Sequence, residues 1–388
     1  VPNGALLAGR LLKSFADDFD CFSFFSISRT PFPFMPEPTI RPSSFNPPAF
    51  PHAQARALLL GVALGDALGV PVEFQPRTAR RQDPVTGMRA YGTYNQPAGT
   101  WSDDASLTFC LAEAMTEGVT GELFLLFVAE NFLRWFRRGW WTAHGRLFDV
   151  GITTADSLKR VERAVALAEA GLRGERAAAL TEASLRGERD NGNGALMRIL
   201  PLHLWLTHAP EQESAEFLLV RNVAGITHGH VRSTAACWLY LTMAHWLAQR
   251  RTPAGAYARL CEDGSAMLAR QGVPQEETDH FAPLLAGDLA AWPEDRVRSS
   301  GYVLHTLEAA LWCLLRHDTY AATVLAAVNL GEDTDTTAAV AGGLAGLYYG
   351  ESGFPDEWLE TLVRRADIED LAARLATTSG RTEGPLQT

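Results

Sequence analysis

The chain has 388 residues, 47% hydrophobic and 20% charged, the proportions of a folded globular protein rather than a disordered or membrane-embedded one. Its 34 basic against 45 acidic residues give a net charge of -11, which argues against a nucleic-acid binder that grips the phosphate backbone and suits a protein that holds cations. No uninterrupted run of about 18 apolar residues suggests a membrane span. The five cysteines, Cys21, Cys110, Cys237, Cys261 and Cys313, are too scattered for a disulfide framework, so a reduced, cytoplasmic protein is expected.

At the N-terminus Arg10 and Lys13 precede a mixed Phe/Ser stretch, but Asp17, Asp18 and Asp20 interrupt the apolar core an export signal would need. Residues 30–51, TPFPFMPEPTIRPSSFNPPAFP, are crowded with proline, which favours extended backbone over helix. Phe32, Phe34, Phe45 and Phe50 could anchor this arm to the body of the protein or to a partner.

After His52 the pattern becomes helical. Leu107, Cys110, Leu111, Ala114 and Met115 fall on one helix face, and Phe124, Phe127, Val128, Asn131, Phe132 and Trp135 repeat the arrangement. Comparable stretches span 155–170, 214–223, 233–248, 302–315 and 336–349. Runs of alternating β-branched residues are absent, so the expected fold is all-α. The expected organisation is an arm over 1–51, one domain over 52–375 and a polar tail over 376–388. Two copies of LRGER, at 172–176 and 185–189, continue no fixed period and are read as chance.

Four constellations could carry chemistry. In GVALGDALGVPVEF, residues 61–74, Gly61, Gly65 and Gly69 form a helix stripe that permits close approach of another helix. Asp66 lies on an otherwise apolar face and needs a partner. Pro71 should end the helix and leave Glu73 just beyond it, either as a surface acid or at the start of a pocket. In GTWSDDASLTF, residues 99–109, Ser102 and Asp103 are helix-capping residues, and with Asp104 they also offer hard oxygen ligands to one cation. NLGEDTDTTAAVAGGLAGLYYG, residues 329–350, supplies more oxygens than a cap requires; residues two apart do not face each other on a helix, so Asp333 and Asp335 should converge in the turn before it. Oxygen-only donors select Mg²⁺, Mn²⁺ or Ca²⁺ over zinc. Finally, the glycines of DNGNGALMR, residues 190–198, either expose backbone N–H groups to phosphate oxygens or form a bare turn, with ITHGH, residues 226–230, as a second polar element. His228 and His230 lack the spacing of a zinc-hydrolase helix.

In this order, GDALGVPVEF, GTWSDDASLT, RRGWWTAHGRLFDVGITT, NGNGALMR, ITHGH and NLGEDTDTTAAVAGGLAG resemble the ADP-ribosylglycohydrolase family, from about residue 54 to about residue 365. The resemblance implies a single compact, orthogonal helical domain with an extended N-terminal arm. It also implies a cleft for ADP-ribose with a centre of two Mg²⁺ (or Mn²⁺), and makes neighbours of acids that spacing alone cannot join. By motif matching, Ser102, Asp103 and Asp104 form one metal-binding group, and Asp333, Asp335 and Thr336 the other. Glu73, Asp104 and Asp335 are the candidate catalytic carboxylates. Gly145, Gly192, Asn193, Gly194 and His228 are the candidate substrate contacts, while Asp149 is assigned to structural support of its loop. The family usually has Thr at position 102 and commonly another at 105; Ser102 keeps the hydroxyl and Ala105 loses one oxygen.

The implied activity is removal of ADP-ribose from modified protein side chains, with arginine linkage favoured. Some relatives look like immunity proteins against ADP-ribosyltransferase toxins. The rival reading is therefore a binding protein whose arm, over residues 30–51, blocks a toxin's active site, with hydrolysis secondary or absent. Neither nucleic acid nor membrane is an expected partner.

Overall fold

The computed structural model describes residues 51–169 and 185–378, the side chains of 164–169 and 378 excepted. The Pro/Phe arm read at 30–51 lies outside the described residues apart from Pro51, as does the tail beyond Thr378. Among the described residues, eleven helices of ten or more residues make the frame: α1 His52–Gly69, α2 Asp103–Met115, α3 Gly121–Arg138, α4 Ile152–Glu169, α5 Glu213–Ala224, α6 Val231–Ala248, α7 Pro253–Arg270, α8 Val303–Arg316, α9 Tyr320–Asn329, α10 Thr334–Tyr349 and α11 Arg365–Thr378. Short helices and 3₁₀ turns join them, and the described residues contain isolated β-bridges but no strand.

Helix α1 begins with Pro51 in extended conformation and ends at Gly69, where Pro71 forces a 3₁₀ turn over Val70–Val72. His52–Val72 has the length and mean hydropathy, 1.6, of a membrane-spanning helix, although Arg56 and Asp66 interrupt its apolar run. It is 94% buried inside the protein, the setting of a core helix.

The centre of the domain is the contact of α1 with α10; α2 and α11 pack on α1, while α6, α8 and α9 pack on α10. This central contact is backbone on backbone. A Cβ added at Gly61 would lie 2.5 Å from the Gly342 carbonyl oxygen, at Gly65 2.1 Å from that of Ala338, and at Gly69 2.3 Å from Cα of Asp335. The stripe is reciprocated: a Cβ at Gly346 would meet the Ala57 carbonyl oxygen at 2.4 Å. Side-chain hydroxyls satisfy carbonyls of this seam. The hydroxyl of Tyr320 donates to Gly61 O (2.8 Å), that of Tyr240 to Val340 O (2.9 Å), and that of Thr334 to Gly69 O (2.8 Å).

Asp66, on the buried face of α1, finds its partner at the start of α2. Its carboxylate accepts from Ser102 N (2.8 Å) and Ala105 N (2.9 Å), satisfying donors that a helix N-terminus leaves open. The helices α7, α9 and α11 were not anticipated from periodicity, although Thr252 caps α7 in front of Pro253, an N-terminal signature legible in sequence. Helix α11 continues past Ala376 to Thr378, since no proline or glycine intervenes before Gly380.

Gly65→Ala should destabilise the protein even though alanine is the better helix former by about 1 kcal/mol. The added methyl meets rigid backbone, so a net loss of about 1–3 kcal/mol in urea unfolding is expected; unchanged or higher stability would contradict the contact.

Candidate active site

Three chain segments converge where α1 ends. The first follows the 3₁₀ turn at Val70–Val72 and presents Glu73. Phe74 then takes a positive φ of 63°, and its N–H donates to Glu332 O (2.6 Å), while Glu332, also at positive φ (61°), returns a bond from its N–H to Gln75 O (2.8 Å). This reciprocal pair zips the Glu73 loop to the loop carrying Asp333. Gly331 permits the crossing, because its φ is 77° and a Cβ there would lie 2.6 Å from Arg77 N.

The second segment is the start of α2. Ser102 is the N-cap and accepts from Asp104 N (3.3 Å), so the capping reading is realised; the same hydroxyl donates to Asp104 Oδ2 (3.1 Å). The third is the start of α10. Asp333 occupies the N-cap position and Asp335 lies inside the first helical turn, not in the turn before the helix as spacing suggested. Thr336 Oγ1 donates to Asp104 Oδ2 (3.3 Å) across a separation of 232 residues, so the two acidic motifs touch directly.

Burial raises the pKa of every acid in this group. For Glu73, desolvation followed by the charges of Asp149 and Asp333 pushes it from 4.5 to about 8. Desolvation likewise lifts Asp103, Asp104 and Asp335 well above the carboxylate range, with neighbouring acids adding to it, and raises Asp149 and Asp333. Four carboxylate oxygens, Glu73 Oε2, Asp104 Oδ1, Asp333 Oδ1 and Asp335 Oδ2, are buried without a hydrogen-bond partner. Unpaired buried oxygens drawn from three segments are costly unless a cation meets them. The donors are all hard oxygens, and one oxygen from each of Glu73, Asp149 and Asp335 lies within 4.8 Å of the others, spacing that a single ion can bridge. The residues present therefore fit a divalent cation.

The group opens into a cleft of about 330 Å³. Glu73, Asp103, Asp149, Asp333 and Thr336 line its acidic side, whereas Ser102, Asp104 and Asp335 lie behind them. Gly192, Gly194 and His228 line a further part of the wall. A Cβ at Gly194 would meet His228 Cε1 at 2.7 Å, so here the glycine makes room for the imidazole. Phe74 and Ile152, 68% and 83% exposed, form an apolar rim.

Three sequence-assigned residues take different surroundings. Asn193 lines the cleft, but its amide donates to Asp333 Oδ2 (2.8 Å) and Thr306 Oγ1 (2.9 Å), which orients an acid. Gly145, at φ 73°, is not among the lining residues; its carbonyl packs against Gly139. Asp149, read from sequence as loop support, instead joins Glu73 and Asp335 in the acidic group. Sequence reasoning also missed Tyr94, whose hydroxyl lies beside Glu73 and Asp149 and opposes the rise in the pKa of both. Neither carried a periodic signal, because Asp149 sits in an irregular loop and Tyr94 in the three-residue 3₁₀ turn Gly92–Tyr94.

Comparisons with known proteins agree with this architecture. The sequence model of the family described as ADP-ribosylglycohydrolase matches residues 47–384. The chain is 31% identical over 333 residues to "ADP-ribosylarginine hydrolase Tri1" of Pseudomonas putida, covering 83% of this chain and 77% of the relative. It is 30% identical over 322 residues to the "ADP-ribosyl-[dinitrogen reductase] glycohydrolase" of Rhodospirillum rubrum, covering 82% and 93%. A solved structure titled "ADP-ribosylglycohydrolase-related protein complex" superposes with a TM-score of 0.62 at 29% identity, covering 84% of this chain and 99% of that one. With its all-α fold and acidic cleft, the chain belongs to the ADP-ribosylglycohydrolase family and is an ADP-ribosylglycohydrolase.

Proposed function

We propose that the protein removes ADP-ribose from arginine side chains of modified proteins, with two Mg²⁺ (or Mn²⁺) ions in the acidic group. The observation that carries this reading is the set of partnerless buried carboxylate oxygens contributed by Glu73, Asp104, Asp333 and Asp335 beside one cleft. Relatives named for arginine-linked hydrolysis support the linkage. Ser102, Asp103 and Asp104 would hold the metals from one side, and Asp333, Asp335 and Thr336 from the other, with Asp149 as a further oxygen donor. When bound, such ions orient ribose hydroxyls and increase the acidity of water.

The reaction joins a water oxygen to the anomeric carbon and breaks the bond from that carbon to the guanidine nitrogen, with a proton passing to the departing guanidine. Glu73 is the carboxyl we assign to that proton transfer, since it lines the cleft with a raised pKa and Tyr94 lies beside it. Asp104 and Asp335, held behind it by Ser102 and Thr336, are the other candidate catalytic carboxylates, and once ionised they would oppose the positive charge that builds at that carbon. The Gly192–Gly194 turn and His228 supply the wall for the phosphate and ribose oxygens. We carry forward the immunity role as a further proposal, resting on the resemblance and on the Pro/Phe composition of residues 30–51.

Release of ADP-ribose from an arginine-modified protein should require Mg²⁺ or Mn²⁺, stop with EDTA, and fall by at least about a hundredfold in Asp103→Ala. Absence of EDTA-sensitive release from arginine- and serine-linked substrates alike would refute the reading, and preference for serine would overturn the linkage. If hydrolysis confers immunity, Asp103→Ala with Asp335→Ala abolishes protection while deletion of residues 1–50 spares it; the opposite pattern would establish the blocking arm.

Stability should respond to pH and metal together. Glu73 has its folded-state pKa raised from 4.5 to about 8, so without metal the native state holds more protons than the unfolded chain, and stability falls as pH rises through that window. Mg²⁺ needs the ionised carboxylates, so its stabilising shift in Tm should grow from about pH 5 to about pH 8. A shift independent of pH would place the ion elsewhere.

A further inference from the structure

Behind the glycine wall of the cleft lies a fully buried guanidinium that the hydrolytic reading leaves unused. Arg198 has no exposed surface, and its guanidinium sits 4.7 Å over the ring of Phe132. It reaches both segments of the wall: Nη1 donates to the Gly194 carbonyl, and Nη2 donates to Thr227 Oγ1 (2.8 Å). Burial lowers its pKa only to about 10, so it remains a cation at neutral pH and its nitrogens act only as donors, although Nε finds no acceptor.

This settles the direction of the next bond. Thr227 Oγ1 lies 2.8 Å from His228 Nδ1, and Thr227 is fully buried. A hydroxyl has one hydrogen to give, and here its oxygen already accepts from Arg198. Within the described hydrogen bonds the acceptor for that hydrogen is His228 Nδ1. The alternative, Nδ1–H donating to Thr227, would leave a buried hydroxyl hydrogen unsatisfied. The imidazole proton therefore resides on Nε2. That edge lies on the cleft wall beside Gly192 and Gly194, whose added Cβ atoms would approach Nε2 to 3.5 and 3.2 Å. The backbone is equally pinned, with Ser157 Oγ donating to Thr227 O (2.7 Å) and His228 N to Ala224 O (2.9 Å).

We propose that Thr227, oriented by Arg198, is a positioning residue that fixes His228 as a neutral Nε2–H donor toward an acceptor oxygen of ADP-ribose. The identity of the ligand rests on the functional reading above; the tautomer does not. Burial and the nearby Arg198 charge hold the imidazole pKa down at about 3, so the donor persists across physiological pH. With Nδ1 occupied and Nε2 protonated, His228 is a ligand-binding group and not the general base.

Long-range ¹H–¹⁵N spectra of the full chain, with His228 assigned against His228→Gln, read the tautomer directly. Protonated Nε2 in the wild type, lost or mixed in Thr227→Val and restored in Thr227→Ser, is the expected result; protonated Nδ1 in the wild type overturns the proposal. Titration with ADP-ribose in Mg²⁺ should show Kd weakened about tenfold in Thr227→Val and recovered in Thr227→Ser. Equal weakening for ADP assigns the donor to a phosphate, and weakening for ADP-ribose alone assigns it to the terminal ribose. Unchanged affinity for both overturns the positioning role. Should Thr227→Val fail to fold, the wild-type tautomer still decides, and a wild type with Nε2–H that binds no ADP-ribose refutes the functional reading alone.

Discussion

Backbone contact between α1 and α10 is the constraint on which the cleft depends. At Gly61, Gly65 and Gly69 the facing chain comes closer than any side chain would permit, and the last of these meets Asp335 itself. The end of α1 is thereby pressed against the first turn of α10. Glu73, four residues beyond Gly69, then has no choice but to emerge beside the second acidic motif. Asp66 extends the same constraint to α2, since one buried carboxylate on α1 holds the amides of Ser102 and Ala105 and so fixes where Asp103 and Asp104 point.

The geometry so enforced is electrostatically unfavourable by itself. Acids from three segments share a poorly solvated space, and desolvation is the leading cause of each raised pKa. The local backbone also bears strain: Phe74 and Glu332, each adjacent to an acid of the cleft, hold positive φ, a cost of about 1–3 kcal/mol apiece for non-glycine residues. Packing of the surrounding helices sustains both costs, and partnerless oxygens are the form in which the site offers affinity to a cation. The glycine wall obeys a different logic. There, cationic Arg198 is sealed within the core, and its hydrogen bonds run through Thr227 to define how a neutral histidine meets the ligand.

Much of this was legible residue by residue. The glycine stripe, the helix end before Glu73 and the capping role of Ser102 follow from local stereochemistry that the chain carries wherever it folds. The amphipathic face of α3 is equally explicit, whereas α2 is buried nearly all round. Other features left little trace. Asp149 and Tyr94 occupy a loop and a short 3₁₀ turn whose paths are decided by what they pack against, whereas α11 does carry a regular apolar face in Ile368, Leu371, Ala372 and Leu375. Asn193 resembled a phosphate-turn residue by its neighbours, yet its amide is spent on Asp333 and Thr306.

By itself the sequence determined the all-α class, the close approach of two small-residue helices and, through six ordered motifs, the family. These rest on periodicity, steric limits and local hydrogen-bonding preference, all of which act over a few residues. Only the tertiary structure decided that Asp104 and Thr336 touch, that Asp149 faces Glu73 and Asp335, and that Gly145 stands outside the cleft. The physical reason is that long-range side-chain contacts depend on the relative placement of packed helices, which spacing along the chain does not encode.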